Sequence, residues 1–370
     1  MNEWIEYKIG DLCQITSSKR IFAKEYRNSG IPFYRGKEII EKQKGQKIST
    51  ELYISKERYN EIKNKFGVPK QGDLLLTSVG TLGIPYVVQD ECFYFKDGNL
   101  TWFYDFNNLN SKYLYYWFLS PQGKANISAK AIGSTQKALT IETLSKFNIL
   151  LPPIDEQKRI AGILSALDDK IELNRRINEN LEQQAQALFK HWFGEYSSNC
   201  ILEEVADISA GGDKPSICMQ KPIADCNIPI YSNGIDNEGL YGYTNISKID
   251  KESVTISARG TIGYVVLRLH PYYPIVRLIS VIPKKENVSA QYLYLWARTL
   301  KISGTGTTQQ QLTVPNFKKT QIYVPPIQQM QEFTSIVAPM FRQIEQNKQY
   351  NTTLSHLRDT LLPKLMKGEI

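Results

Sequence analysis

Tyr113-Leu114-Tyr115-Tyr116-Trp117 returns later in the chain as Tyr292-Leu293-Tyr294-Leu295-Trp296, and the segments around it return with it. Ser134-Thr135-Gln136 and Leu139-Thr140 recur as Thr307-Thr308-Gln309 and Leu312-Thr313, and Pro152-Pro153-Ile154 recurs as Pro325-Pro326-Ile327. Gln136 and Pro152 find their counterparts at one shared offset of 173 residues, so the 370-residue chain is a duplicated unit of about half its length. The aromatic pairs have helical spacing and are expected to be core. Two equivalent lobes suit a two-part ligand, as symmetric DNA-binding proteins meet symmetric half-sites.

Upstream of the aromatic helix each repeat opens on a short helix-and-strand pattern, Tyr7 to Ile15 and Ile201 to Ile208. Ile31-Pro32-Phe33-Tyr34 and Ile228-Pro229-Ile230-Tyr231 follow, each leading into a glycine-bearing turn. Strand-like runs come next: Asp73 to Thr77, Gly83 to Val88, Val254 to Ile256 and Gly263 to Leu267. Between them Gly80-Thr81-Leu82-Gly83 and Gly260-Thr261-Ile262-Gly263 predict tight strand-to-strand connections. The lobes are expected to be α+β.

Downstream of the Pro-Pro pair the pattern changes. A stretch from Asp155 to about Phe193 has acidic residues in its first turn and apolar or amide residues at alternating three- and four-residue steps, the spacing of a coiled-coil seam. Its seam is read as Leu164, Leu167, Ile171, Asn178, Leu181 and Leu188; in the second repeat Ile344, Asn351, Leu354 and Leu361 fall in register. At about 1.5 Å per residue such a helix is roughly 55–60 Å long, too long for burial inside one small lobe. Asn178 and Asn351 share a repeat position, where a polar seam residue fixes register. Pro339 and Pro363, which replace Ala166 and Lys190 of the first repeat, predict a kink or break.

The expected architecture is thus two similar α+β lobes, residues 1–153 and 194–326, separated by two long antiparallel coiled-coil helices, 154–193 and 327–370, in a pseudo-twofold, cyclic arrangement with the chain ends close together.

Charge follows the same division. Residues 1–154 carry 21 Lys and Arg against 15 Asp and Glu, and residues 197–327 carry 13 against 10, whereas 155–196 carry 6 against 8. Positive charge sits in the lobes, as expected if they face a polyanion; surface solubility is the plainer explanation. Five scattered cysteines without C-x-x-C spacing argue against a disulfide framework and against zinc, and suit a reduced intracellular setting. The N-terminus has no apolar signal core, and the longest apolar run is too short to span a bilayer, so a soluble cytoplasmic chain is expected.

No phosphate-binding glycine loop, dinucleotide fingerprint or H-E-x-x-H motif occurs. His191, His270 and His356 are isolated and read as structural or surface residues. Leu151-Pro152-Pro153-Ile154 lacks the amide and the aromatic ring with which an adenine methyltransferase grips a flipped base. No catalysis, cofactor or metal is expected. Residues suited to nucleic acid do recur at equivalent places: Tyr34, Arg35 and Lys37 on one turn, Tyr231 and Asn233 on its counterpart. Ser134, Thr135, Gln136 and Lys137 form one polar loop and Thr307, Thr308 and Gln309 another, where glutamine can bond adenine in a bidentate way. Ser78, Thr81 and Thr261 flank the paired glycines, and Arg259 stands where the first repeat has Val79, a difference that suits a different half-site. The competing reading is that these loops cap strands and helices within each lobe.

Together the two Gly-Thr-x-Gly motifs, the S/T-T-Q loops, the helix entry Leu151-Pro152-Pro153-Ile154-Asp155-Glu156-Gln157 and the ending Leu361 to Ile370 resemble the specificity subunits of type I restriction-modification systems, over the whole chain and in the family's order. The resemblance implies that the lobes are target-recognition domains reading the halves of a split double-stranded DNA target. It implies that the helices act as a ruler for the unread spacer, that two methyltransferase subunits dock, and that restriction and translocase subunits join for cleavage. The alternatives are a self-contained DNA-modification enzyme and a coiled-coil scaffold.

Overall fold

In the computed structural model, residues 4–49, 51–131, 133, 137–284, 288–302 and 311–370 are described. The chain forms two compact units: Met1–Leu173 with Asn351–Ile370, and Asn174–Tyr350.

In the first unit an antiparallel four-stranded sheet runs in the order Gln14–Thr16, Leu100–Tyr104, Leu74–Thr77, Pro85–Val87. A smaller mixed sheet places Ile31–Tyr34 between Tyr53–Ile54 and Tyr94–Phe95, and Ile5–Lys8 pairs with Asn148–Leu151. The second unit repeats this plan strand for strand. Its four-stranded sheet is Ala206–Ala210, Ile279–Pro283, Ser253–Ile256, Val265–Arg268. Its mixed sheet places Ile228–Tyr231 between Leu240–Thr244 and Tyr273–Pro274, and Cys200–Ile201 pairs with Gln321–Ile322. The duplication read from short motifs is therefore a duplication of topology.

Period-two alternation decides which core each strand residue joins. Leu74 and Leu76 face the aromatic helix Ser111–Leu119, sharing a core with Phe103, Leu114, Trp117 and Phe118. Leu75, between them, faces a second core with Tyr86, Val88, Phe95 and Trp102. In the second unit Val254 and Ile256 pack with Tyr292, Leu293 and Trp296 of the helix Ala290–Thr299. Asn110 and Ser289 cap the two aromatic helices, accepting from the backbone N–H of Tyr113 at 3.0 Å and of Tyr292 at 3.2 Å. Full burial of an aromatic side chain such as that of Tyr113 or Tyr292 stabilises its lobe by about 2–3 kcal/mol.

The long helices span Ile154–Phe193 and Ile327–Leu365. Gln157 anchors the start of the first. Fully buried, it accepts from the Asn110 N–H (2.9 Å) and donates to the carbonyls of Asn108 (3.1 Å) and Pro152 (2.9 Å). The second helix solves the same problem with an apolar residue: Met330, 1% exposed, lies against the Ser289 hydroxyl. Within the first unit the helix segments run antiparallel, with Asp168 paired to Arg358 at 2.7 Å and Asn351 Nδ2 donating to the Ile171 carbonyl at 3.3 Å. Within the second, Asn178 Nδ2 donates to the Ile344 carbonyl at 3.4 Å, the same contact displaced by 173 residues, and its Oδ1 accepts from Asn347 Nδ2 at 2.7 Å.

Leu164, Ile171 and Ile344 are buried, and Leu167, Leu181, Leu188, Leu354 and Leu361 half-buried. Asn347 belongs beside them, since 95% of its surface is covered. The outer turns of both helices enter the lobes: Ile160 and Leu164 join one core, Phe189, Phe193, Phe333 and Val337 another. Tyr116 donates to Asp168 at 2.7 Å and Tyr294 to Glu182 at 2.6 Å, so a lobe hydroxyl meets a helix carboxylate in each unit. Trp4 lies against Gly368, bringing both ends of the chain into the first unit.

Of the kink or break expected in the second helix, the break is corrected: the helix continues through Pro339 and Pro363. Ala338 and Phe341 flank one proline and Leu362 and Leu365 the other, all buried, so tertiary packing holds the helix where a backbone hydrogen bond is lost. The turn expected after Tyr34 is also corrected, because Gly36–Gln43 is a helix.

Candidate nucleic-acid interface

Three segments of each lobe meet at one corner. In the first unit the connection between Leu74–Thr77 and Pro85–Val87 turns through Gly80 and Gly83, at φ of +79° and +75°, values that glycine adopts freely. Lys137 and Leu139 are stitched to this turn: Leu139 N–H donates to the Ser78 carbonyl (2.9 Å) and Gly80 N–H to the Lys137 carbonyl (3.2 Å). From the other side comes the helix Gly36–Gln43. Arg35, Lys37, Glu41, Lys44, Gln46, Thr81 and Asn99 line a groove of about 700 Å³ between them, with Lys37 paired to Glu41 at 3.9 Å.

In the second unit Gly260 and Gly263, at φ of +66° and +83°, make the equivalent turn, and Leu312 N–H donates to the Ala258 carbonyl at 3.0 Å. Arg259 holds Gln311 Oε1 through Nε (3.3 Å) and Nη2 (3.1 Å). Here the third segment is a turn after Tyr231, not a helix of two turns. Asn233 joins it to its neighbours, accepting from the Ala258 N–H at 2.7 Å and donating to the Val276 carbonyl at 2.6 Å.

The structure thus brings Arg35, Lys37, Thr81 and Lys137 together in one lobe, and Asn233, Arg259 and Thr261 in the other. Lys37, Thr81, Lys137 and Thr261 are exposed. Three candidates are buried. Tyr34 and Tyr231 are each 7% exposed and Ser78 2%, the last bonded to the Thr101 hydroxyl at 2.6 Å. The Tyr231 ring lies under the Arg268 guanidinium, 3.5 Å from its centroid, and burial pushes its hydroxyl up to about 12, so it stays neutral. Ser134, Thr135, Gln136, Thr307, Thr308 and Gln309 lie outside the described residues.

Arg35 is not a simple surface cation. It grips Glu38, which is 1% exposed, through Nη2 (2.6 Å) and Nε (3.2 Å), and those hydrogen bonds raise the guanidinium above its ordinary value. Lys44, Gln46 and Asn99 escaped the sequence reading. Lys44 and Gln46 follow directly on the helix Gly36–Gln43, which a turn read after Tyr34 concealed, and Asn99, in the turn before Leu100–Tyr104, carries no sequence signal.

His270 sits between the Tyr231 hydroxyl (3.0 Å) and Glu345 (3.5 Å), a structural place that lowers the Glu345 carboxyl below its ordinary value through their hydrogen bond. No cluster of three or more His, Cys, Asp or Glu suited to a metal occurs among the described residues.

A duplicated α+β chain, with a polar and basic corner repeated in each lobe and paired long helices, is a two-headed recognition protein. The type I restriction modification DNA specificity domain model matches residues 1–183 and again 199–356, and the chain belongs to that family. It is therefore a DNA-specificity subunit, a recognition chain and not a catalytic one. Among curated relatives, the MjaIX specificity subunit of Methanocaldococcus jannaschii is 26% identical, over the whole of this chain and 94% of its own length. A putative type I specificity subunit of Mycoplasma pneumoniae is 33% identical over 57% of this chain, an alignment that spans 59% of that relative. The crystal structure of a type I restriction-modification S subunit from M. genitalium shares the fold, with a TM-score of 0.64 and 20% identity over 98% of this chain and 96% of that one.

Proposed function

We propose that each lobe reads one half of a bipartite DNA target through its corner. In this reading residues 1–153 and 194–326 are the target-recognition domains, while 154–193 and 327–370 set the length of the unread spacer. Two methyltransferase subunits and the restriction and translocase subunits join the chain in the cytoplasm to modify or cleave at that target. One observation carries the reading: in both lobes the paired-glycine turn is held to a second segment by the same backbone hydrogen bond, Leu139 to Ser78 and Leu312 to Ala258, while the third segment and the side chains presented there differ. Common backbone with divergent donors is what two half-sites of different sequence require. Among the described residues no helix is long and apolar enough to cross a membrane.

The test is genome-wide adenine-methylation mapping with and without the gene. Loss of a single motif, two short half-sites around a fixed gap, is the expected result; methylation unchanged while the methyltransferase subunit is active would overturn the reading. Shortening both helices by matching turns should change the gap and leave the half-sites alone. Binding of S-adenosylmethionine by the purified chain without partners would instead favour a self-contained enzyme.

A further inference from the structure

Val276 and Arg277 form the turn between Tyr273–Pro274 and Ile279–Pro283, and both hold positive φ, +52° and +60°. For a β-branched residue followed by an arginine that conformation is strained, and it persists only where the surroundings over-determine it. They do. Val276 N–H donates to the Gly212 carbonyl (2.9 Å), Arg277 N–H to that of Gly211 (2.8 Å), and Leu278 N–H to that of Ile275 (3.0 Å). Gly211 has no room for a side chain, since a Cβ there would sit 2.7 Å from the Ile275 nitrogen. Asn233 completes the clamp by donating to the Val276 carbonyl.

The first lobe solves the same turn without strain. Ile275 N–H donates to the Tyr231 carbonyl as Lys96 N–H donates to that of Tyr34, which sets Arg277 opposite Gly98, a glycine at φ +72°. The second lobe thus carries a long cationic side chain where its twin has none and where glycine is the unstrained choice. Arg277 is exposed, and no partner for its guanidinium occurs among the described residues. The Asn233 amide also fixes its neighbourhood: one end holds Ala258, next to Arg259, and the other holds Val276, next to Arg277. The backbone segments that carry two arginines 18 positions apart in sequence are thereby held by one side chain.

We infer that Arg277 is a DNA-phosphate contact of the second lobe, positioned by the strained turn beside Arg259. The inference rests on the recognition function proposed above and adds to it a residue and a role. A rigid backbone carrying an unpaired guanidinium suits phosphate, because the entropy of ordering the turn is met during folding and not on binding.

The experiment uses the full chain and a duplex of arbitrary sequence, with affinity measured between 50 and 200 mM salt. Each phosphate contact adds about 0.9 to the slope of log K against log salt, so Arg277→Gly should shrink the affinity lost across that range by about three- to fourfold. Arg277→Lys should restore the slope. Tm should hold or rise in Arg277→Gly, because glycine relieves the turn, which separates a lost contact from a lost fold. An unchanged slope in Arg277→Gly would overturn the inference while leaving the recognition function standing. Wild-type chain with no salt-dependent duplex binding would overturn both.

Discussion

The two lobes share a sheet but not the chemistry of its far face. In the first, Leu75, Val88 and Trp102 make that face apolar and pack with Phe95 and Tyr86. In the second the matching positions of the same sheet are Thr255, Arg268 and Ser280, 1%, 1% and 0% exposed. Arg268 donates to the Thr255 hydroxyl (3.0 Å), to the Glu238 carbonyl (2.6 Å) and to its carboxylate (3.4 Å), and Glu238 also pairs with Lys348 of the second long helix. Tyr272 donates to Ser280 at 3.0 Å and bonds Ser253 at 2.9 Å. The backbone is kept, while one lobe holds its recognition segment by apolar packing and the other by a polar network. The comparison teaches that register and hydrogen-bonded turns define this lobe, and that core chemistry is free to vary once every buried polar group is satisfied.

The sharpest break is at Arg268. Arg268→Ala removes a buried guanidinium, takes a donor from the Thr255 hydroxyl and from the Glu238 carbonyl, and opens a cavity over the Tyr231 ring; a loss of about 3 kcal/mol is expected in chemical denaturation. Its twin Val88→Ala deletes only two buried methyl groups and should cost about 2 kcal/mol. Equal losses would mean that the polar network adds nothing to packing. The helix of the first lobe offers a second break: Arg35→Ala leaves the Glu38 carboxylate buried and without its guanidinium, at a cost of about 2 kcal/mol, and Glu38→Gln in the same chain should recover most of it.

How much of this was legible depends on what each residue had to reveal. The duplication, the glycine turns and the long helices were readable because they are local or periodic signals that occur twice. The burial of Tyr34 and Tyr231 was not legible, because Ile31–Tyr34 and Ile228–Tyr231 are central strands of their sheets. Phe33 with Tyr34, and Ile230 with Tyr231, are buried on both faces, so alternation gives no outward side. The break expected at the prolines is absent for a different reason, since packing of the buried residues beside them holds that helix. Arg277 left no trace at all, because a turn of Ile275, Val276, Arg277 and Leu278 contains none of the residues that usually mark positive φ.

The outer glycines of the two turns test whether the lobes are equivalent where they look so. A Cβ on Gly80 or Gly260 meets nothing within 4 Å, so substitution costs only the left-handed backbone. Gly80→Ala and Gly260→Ala should each lose about 1 kcal/mol, read as matching shifts in Tm. A loss confined to one lobe would show that its turn is held by something the other lacks.

The smallest effect is the one that separates the two ways of presenting charge. Lys44 is on the helical rim of the first lobe, where it lines the groove with Arg35 and Thr81, and its counterpart region in the second lobe is the turn that carries Asn237 and Glu238 at positive φ. If the first lobe draws its phosphate contacts from this helix and the second from Arg259 and Arg277, Lys44→Ala should leave stability within about 0.5 kcal/mol. The salt slope of duplex binding should fall by about 0.9, as for loss of a single contact. Combining Lys44→Ala with Arg277→Gly should then add the two slope changes, because the residues belong to different compact units. A double variant no worse than either single one would mean that only one lobe engages the backbone at a time, and the symmetry of the fold would not extend to the way it holds DNA.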